Sequence, residues 1–221
     1  AAGGKLVLMH RFEPETALAL IERERVAVTG GVPAVMLALL EHPRLGEFDR
    51  SSLELATYGG APPPADLPVR IAAAFPNAVS GHGWGMTETS ATCTTHSGMD
   101  YLNRPESCGP ALPVSRVKVL AEGREAPPGQ LGELWAFGPN VVKGYWNRAD
   151  ATAAHFRDGW VRTGDLASID GEGFLTIVDR ATDMVIRGGE NIYCTEVENI
   201  LARHRGVADA ALVGLPRPLL G

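Results

Sequence analysis

Apolar and polar positions along the chain fall into three textures. In the first, strand-like and helix-like runs alternate. Residues 5–11 alternate as a strand does, and residues 14–25 place Ala17, Leu18, Leu20 and Ile21 on one helical stripe. Pro14 suits a first helical turn, where its missing N–H is not needed. Strands are predicted over 26–30, 53–58 and 77–80, with helices over 33–41 and 65–75. After residue 97 the texture changes to short strands (114–120, 131–138, 160–163 and 174–179) separated by Gly, Pro and Asp turns, with no long helix. A third texture begins near residue 180: an apolar strand, Gly188-Gly189, a helix over 195–203 and a strand over 207–213.

The alternation predicts an α/β fold, a mostly parallel sheet with helices, to which a small antiparallel β unit is attached. A truncated α+β domain then follows. The expected boundary separates residues 1–180 from 181–221.

Composition narrows the function classes. Lys+Arg total 20 against 26 Asp+Glu, a net charge of −6. Lys5, Lys118 and Lys143 are the three lysines. That balance lacks the basic stripe of a nucleic-acid binder. No apolar run reaches the ~18 residues of a membrane span. Cys93, Cys108 and Cys194 are odd in number and widely spaced, which predicts reduced thiols and a cytoplasmic setting. Cys93 and His96 lack a second pair at ligand spacing, so zinc is not expected. The sequence opens on Ala-Ala-Gly-Gly and closes on Pro-Leu-Leu-Gly after an apolar run. Both ends read as cuts through a longer chain.

Three stretches carry candidate chemistry. Gly59-Gly60-Ala61-Pro62 ends a predicted strand, where glycine lets a ligand approach the backbone. Taken alone, a tight strand-to-helix turn accounts for it better. Gly81 to Thr89 forms a glycine-rich stretch at another strand's C-terminal end, where α/β sheets bind ligands. It includes Gly83, Trp84, Gly85, Thr87 and Glu88: an aromatic face for a base, a hydroxyl for a phosphate oxygen, and a carboxylate for a hard cation such as Mg²⁺. Trp84 alone equally suits a core.

The third stretch runs through Gly132-Glu133-Leu134, Gly144-Tyr145-Trp146, Thr163-Gly164-Asp165-Leu166 and Asp179-Arg180 to Gly188-Gly189-Glu190-Asn191-Ile192-Tyr193. Asp165 can accept from both hydroxyls of a ribose diol. Arg180 can donate to the same sugar or to a phosphate. Alone, the first would be a turn and the second a surface ion pair.

In this order the stretches resemble the adenylate-forming superfamily of acyl- and aryl-CoA ligases, peptide-synthetase adenylation domains and luciferases. Gly-Trp-Gly-Met-Thr-Glu-Thr-Ser, Thr-Gly-Asp-Leu, and Asp-Arg…Gly-Gly-Glu-Asn-Ile-Tyr…Glu-Val-Glu look like three of its core motifs. The resemblance covers essentially the whole chain. It implies the downstream half of the family's large AMP-binding domain and the first part of its mobile C-terminal domain.

By that resemblance Thr87 contacts the α-phosphate of ATP and Glu88 helps hold Mg²⁺. Trp84 stands where the family usually has Tyr against adenine, keeping a stacking face without the hydroxyl. Gly60, Ala61 and Pro62, with Gly83 and Gly85, border the adenine and acyl sites. Asp165 binds ribose with Arg180 beside it, and Gly188 and Gly189 line the pantetheine channel of CoA. Thr182 occupies the hinge position, usually Asp or Lys. Cys194 and Ala149 replace two common prolines. The family's phosphate loop and C-terminal lysine have no counterpart, since none of the three lysines sits in a matching context.

The resemblance therefore implies an ATP-dependent acid–CoA ligase acting through an acyl-adenylate (AMP-forming) on a fatty acid, inactive as this piece alone. Two alternatives stay open: a non-catalytic nucleotide-binding module, or an adenylating enzyme with another acyl acceptor.

Overall fold

The computed structural model describes residues 3–181, 183–187, 190–207 and 210–215. Thr182, Gly188 and Gly189 lie outside them. The chain divides into two compact units, residues 1–85 with 94–109, and residues 86–93 with 110–221.

The first unit begins with α1 (Pro14–Glu24), whose Glu13 carboxylate accepts from the Glu15 and Thr16 amides at 3.1 and 2.6 Å. Arg25 ends it in a left-handed conformation. There follow β1 (Val28–Gly31), α2 (Pro33–Leu40), β2 (Leu55–Gly59), α3 (Leu67–Ala74), β3 (Val79–Met86), β4 (Ala91–Ser97) and α4 (Met99–Asn103). The sheet order is β1-β2-β3-β4, with β1 parallel to β2 and β2 parallel to β3. Leu18 and Ile21 of α1, Met36 and Leu39 of α2 and Leu67 and Ile71 of α3 meet Leu53, Ala56 and Tyr58 in the core. Each such side chain contributes about 1.5–3 kcal/mol by leaving water.

The predicted strand over 5–11 does not form. Those residues run without a ladder partner among the described residues, and Leu6 and Leu8 are exposed. Alternation alone cannot make a strand without a neighbouring edge.

Behind β3 lies a buried polar cluster. His82 Nδ1–H and His96 Nε2–H both donate to the Ser107 carbonyl, at 3.0 and 2.8 Å. A carbonyl only accepts, which assigns a proton to each of those nitrogens. Tyr58 donates to the Tyr101 hydroxyl at 3.0 Å, and the Tyr101 ring stands edge-on to His96. Burial lowers the pKa of both histidines from 6.5, each staying neutral in the fold. The unfolded chain therefore binds more protons below pH 6.5. Stability is fully present above that value and falls as pH drops toward the depressed folded pKa values, by up to about 1.4 kcal/mol per pH unit for each histidine. Thermal melts between pH 7.5 and 5 should show that decline, and His96→Gln should flatten it.

The second unit is built on an antiparallel sheet. Its elements are β5 (Arg116–Ala121), β6 (Arg124–Glu125), β7 (Gly132–Phe137), α5 (Ala149–His155), β8 (Phe156–Arg157), β9 (Trp160–Ile169) and β10 (Leu175–Arg180). They pair in the order β10-β9-β7-β5-β6, with β8 also on β9. β11 (Val185–Arg187) pairs antiparallel with β12 (Glu190–Ile192), and α6 (Cys194–Ala202) packs on β10. No strand forms over the described residues of 207–213. The two sheets give the α/β class with its appended antiparallel unit.

Candidate functional site

Two of the candidate stretches are strand. Trp84 and its flanking glycines lie inside β3, and Asp165 lies inside β9. In β3 the glycines let backbones close up. A Cβ on Gly59 would sit 2.5 Å from the Gly83 carbonyl oxygen, and one on Gly83 would sit 2.6 Å from that of Thr94. The small size of Gly83 therefore serves strand packing. Trp84 is half-buried. Gly60, Ala61 and Pro62 follow β2 as an exposed bend, with Gly60 at φ +79°. They remain in the first unit with Trp84.

The second unit carries Thr87, Glu88, Asp165 and Arg180. Thr87–Thr89 forms a short 3₁₀ turn, with Thr87 exposed, Glu88 half-buried and Thr89 buried. The buried Thr89 hydroxyl accepts from the Met86 amide at 3.0 Å. Ser90 and Ala91 follow at φ +53° and +108°, conformations an L-residue holds only when its surroundings impose them. The surroundings here are residues 140–145. Val142 N–H donates to the Glu88 carbonyl at 2.9 Å and Asn140 Nδ2 to the Thr89 carbonyl at 3.0 Å. Ser90 Oγ donates to the Asn140 carbonyl at 2.8 Å.

The Tyr145 hydroxyl donates to Glu88 Oε1 at 2.7 Å. Burial, with the Glu88 carboxylate beside it, pushes the Tyr145 phenol up to about 12, so it remains a donor at neutral pH. Sequence reasoning noted Tyr145 within a motif and gave it no role.

Asp165 follows from strand alternation. Val161, Thr163, Asp165 and Ala167 face inward along β9, while Arg162 is exposed. The Asp165 side chain is 7% exposed, and its Oδ1 lies 3.0 Å from Arg180 Nε. The two are cross-strand partners of β9 and β10, which is why residues fifteen apart in sequence meet. Arg180 itself is 62% exposed, so its guanidinium reaches solvent. Neighbouring Asp179 is buried and accepts from the Thr195 hydroxyl and amide, at 3.2 and 3.3 Å.

No group of three or more His, Cys, Asp or Glu side chains able to hold a metal occurs among the described residues. Mg²⁺ binds through one or two carboxylates plus substrate phosphates and water. Glu88 is a hard oxygen donor of the right kind. Among the described residues no helix is long and apolar enough to cross a membrane.

A family model described as AMP-binding enzyme matches residues 1–146. Feruloyl-CoA synthase of Amycolatopsis sp is 41% identical over 223 aligned positions, covering 99% of this chain and 44% of that protein. A medium/long-chain-fatty-acid–CoA ligase of Mycobacterium tuberculosis is 38% identical, covering 97% of this chain and 38% of the other. Among solved structures, o-succinylbenzoate CoA synthetase of Bacillus subtilis with its acyl-adenylate superposes with a TM-score of 0.86 at 35% identity, over 96% of this chain and 43% of that one. The same synthetase is also solved with ATP and magnesium, at a TM-score of 0.85 and 34% identity, over 95% of this chain and 43% of that one. The chain thus spans less than half the length of the curated relatives it matches.

Proposed function

This chain belongs to the AMP-binding enzyme family, and from that premise we propose that residues 1–221 are part of a longer acid–CoA ligase. The boundary between its large domain and a mobile C-terminal domain falls at residue 180. The observation that carries the reading is the buried Asp165 carboxylate with Arg180 at its side, a pair suited to a ribose diol and an adjacent phosphate.

The reaction has two steps. A carboxylate oxygen attacks the α-phosphorus of ATP, and pyrophosphate leaves to give the acyl-adenylate. The thiol of CoA then attacks the acyl carbon, forming the thioester and releasing AMP. Thr87 holds the α-phosphate by its hydroxyl, and Trp84 offers its ring to adenine. Gly60, Ala61, Pro62, Gly83 and Gly85 border the adenine and acyl groups. Asp165 orients ribose, fixing the α-phosphorus for in-line attack. Glu88 takes the magnesium ion, which neutralises phosphate charge when bound. Gly188 and Gly189 line the pantetheine route, and Thr182 is the pivot. The reaction takes place in the cytoplasm, where the three buried cysteines stay reduced.

A fatty acid is the proposed acyl group, in keeping with the Mycobacterium tuberculosis relative. The Amycolatopsis relative favours an aryl acid as a second reading. Acid-dependent exchange of pyrophosphate into ATP by the full-length parent, across fatty and aryl acids, decides between them. Exchange with fatty acids, followed by CoA-dependent AMP release, is the expected result. Exchange confined to aryl acids selects the second reading, and AMP release that ignores CoA points to another acyl acceptor. No exchange with any acid overturns ligation and leaves a nucleotide-binding module. The isolated 221-residue chain should show none, because the phosphate loop and the C-terminal lysine that the family resemblance implies have no counterpart in its sequence, and each such charge-stabilising group is worth orders of magnitude.

A further inference from the structure

Resting on the reading of Glu88 as the magnesium ligand, we propose that Tyr145 is its positioning residue. The phenol occupies Oε1 and leaves Oε2 as the one oxygen of that carboxylate turned over to the cation. The hydrogen bond is 2.7 Å long and joins residues 57 apart in sequence. Oε2 takes no hydrogen bond among the described residues.

A glutamate has three side-chain torsions, and ordering a free one on metal binding costs rotamer entropy. Here that ordering is already done. The backbone at Glu88 is fixed by Val142, and the turn after it by Asn140 and Ser90. Tyr145 then fixes the far end of the side chain.

Tyr145 is itself held firmly. Its amide donates to Thr152 Oγ1 at 2.9 Å, and its ring stands edge-on to His155 and Phe156, at 5.9 and 5.3 Å between centroids. The short helix α5 and strand β8 thus form the seat of the phenol. A carboxylate that ligates a metal gains affinity from such a partner, and losing one typically weakens metal binding 10–100-fold.

The test measures Mn²⁺ binding by electron paramagnetic resonance in the presence of ATP, on the full-length parent and on Tyr145→Phe and Glu88→Gln. Tyr145→Phe keeps the ring in its seat and should raise the Mn²⁺ dissociation constant about tenfold, with affinity for metal-free ATP unchanged. Glu88→Gln should weaken Mn²⁺ further. Weakening by Glu88→Gln with none from Tyr145→Phe overturns the positioning role and leaves the Glu88 reading standing. No weakening by Glu88→Gln overturns that reading, and the inference with it. An equal loss of metal-free ATP affinity in Tyr145→Phe marks a merely structural tyrosine and also overturns it. Should Tyr145→Phe fail to fold, 3-fluorotyrosine at position 145 retains ring and hydroxyl. Its ¹⁹F resonance should move when Mg²⁺ is added to the ATP complex, and an unmoved resonance sinks the proposal.

Discussion

In the full-length parent, Asp165→Ala is expected to raise the ATP dissociation constant on the order of a hundredfold, about 2.7 kcal/mol. The carboxylate offers two charge-assisted contacts to a ribose diol, each worth about 1.5–3 kcal/mol at most. Solvation of Arg180 makes the substitution mild for the fold: the guanidinium left behind is already 62% exposed and turns to water. The specific signature is in the nucleotide. Removing the acceptor should abolish most of the disadvantage of 2′-deoxy- and 3′-deoxy-ATP against ATP. Unchanged discrimination among the three, measured by equilibrium binding, would mean that ribose lies elsewhere.

Gly109→Ala is expected to cost the 221-residue chain about 4 kcal/mol of stability, from overpacking and left-handed strain together. Gly109 has φ +82°, and a Cβ there would sit 2.3 Å from the Thr95 carbonyl carbon, 2.5 Å from its oxygen and 2.6 Å from the His96 nitrogen. All three atoms are backbone, so no rotamer change relieves the clash. The same glycine donates its amide to Ser107 Oγ at 2.9 Å, beside the carbonyl on which His82 and His96 converge. A melting temperature lower by roughly 10 °C or more follows at this chain length. Gly123 supplies the contrast: φ is +76° but nothing lies within 4 Å of its Cβ position. Gly123→Ala should cost only the backbone part, about 1 kcal/mol. Equal losses in the two variants would show that the conformation, and not the clash, sets the penalty.

Local pattern carried the helices well, for a reason visible in each. Leu18 and Ile21 sit on the buried stripe of α1, and Pro14 and Pro33 open α1 and α2 where a missing N–H is harmless. What eluded the pattern was set by partners distant in sequence. β4, Ala91 to Ser97, has no apolar alternation to announce it and becomes a strand by joining the edge of β3. β3 and β9 outrun their predicted ends because Gly59 pairs with Gly83, and Arg180 with Asp165. α5 is seven residues long and buries none of them. Of the candidate residues, Asp165 and Arg180 were legible as types, yet their pairing needed the β9–β10 register. Nothing local in Glu88 points to a phenol 57 residues on.

Asp179 fastens β10 to the start of α6 through the Thr195 amide and hydroxyl, and its Oδ1 also takes the Arg180 amide at 2.8 Å. The strand end that presents Arg180 and the helix beyond residue 182 therefore share one buried carboxylate. Moving α6 away from β10 would break both Thr195 bonds to Asp179. Parting the two elements would therefore unpair a buried charge, where an unmade hydrogen bond is most expensive.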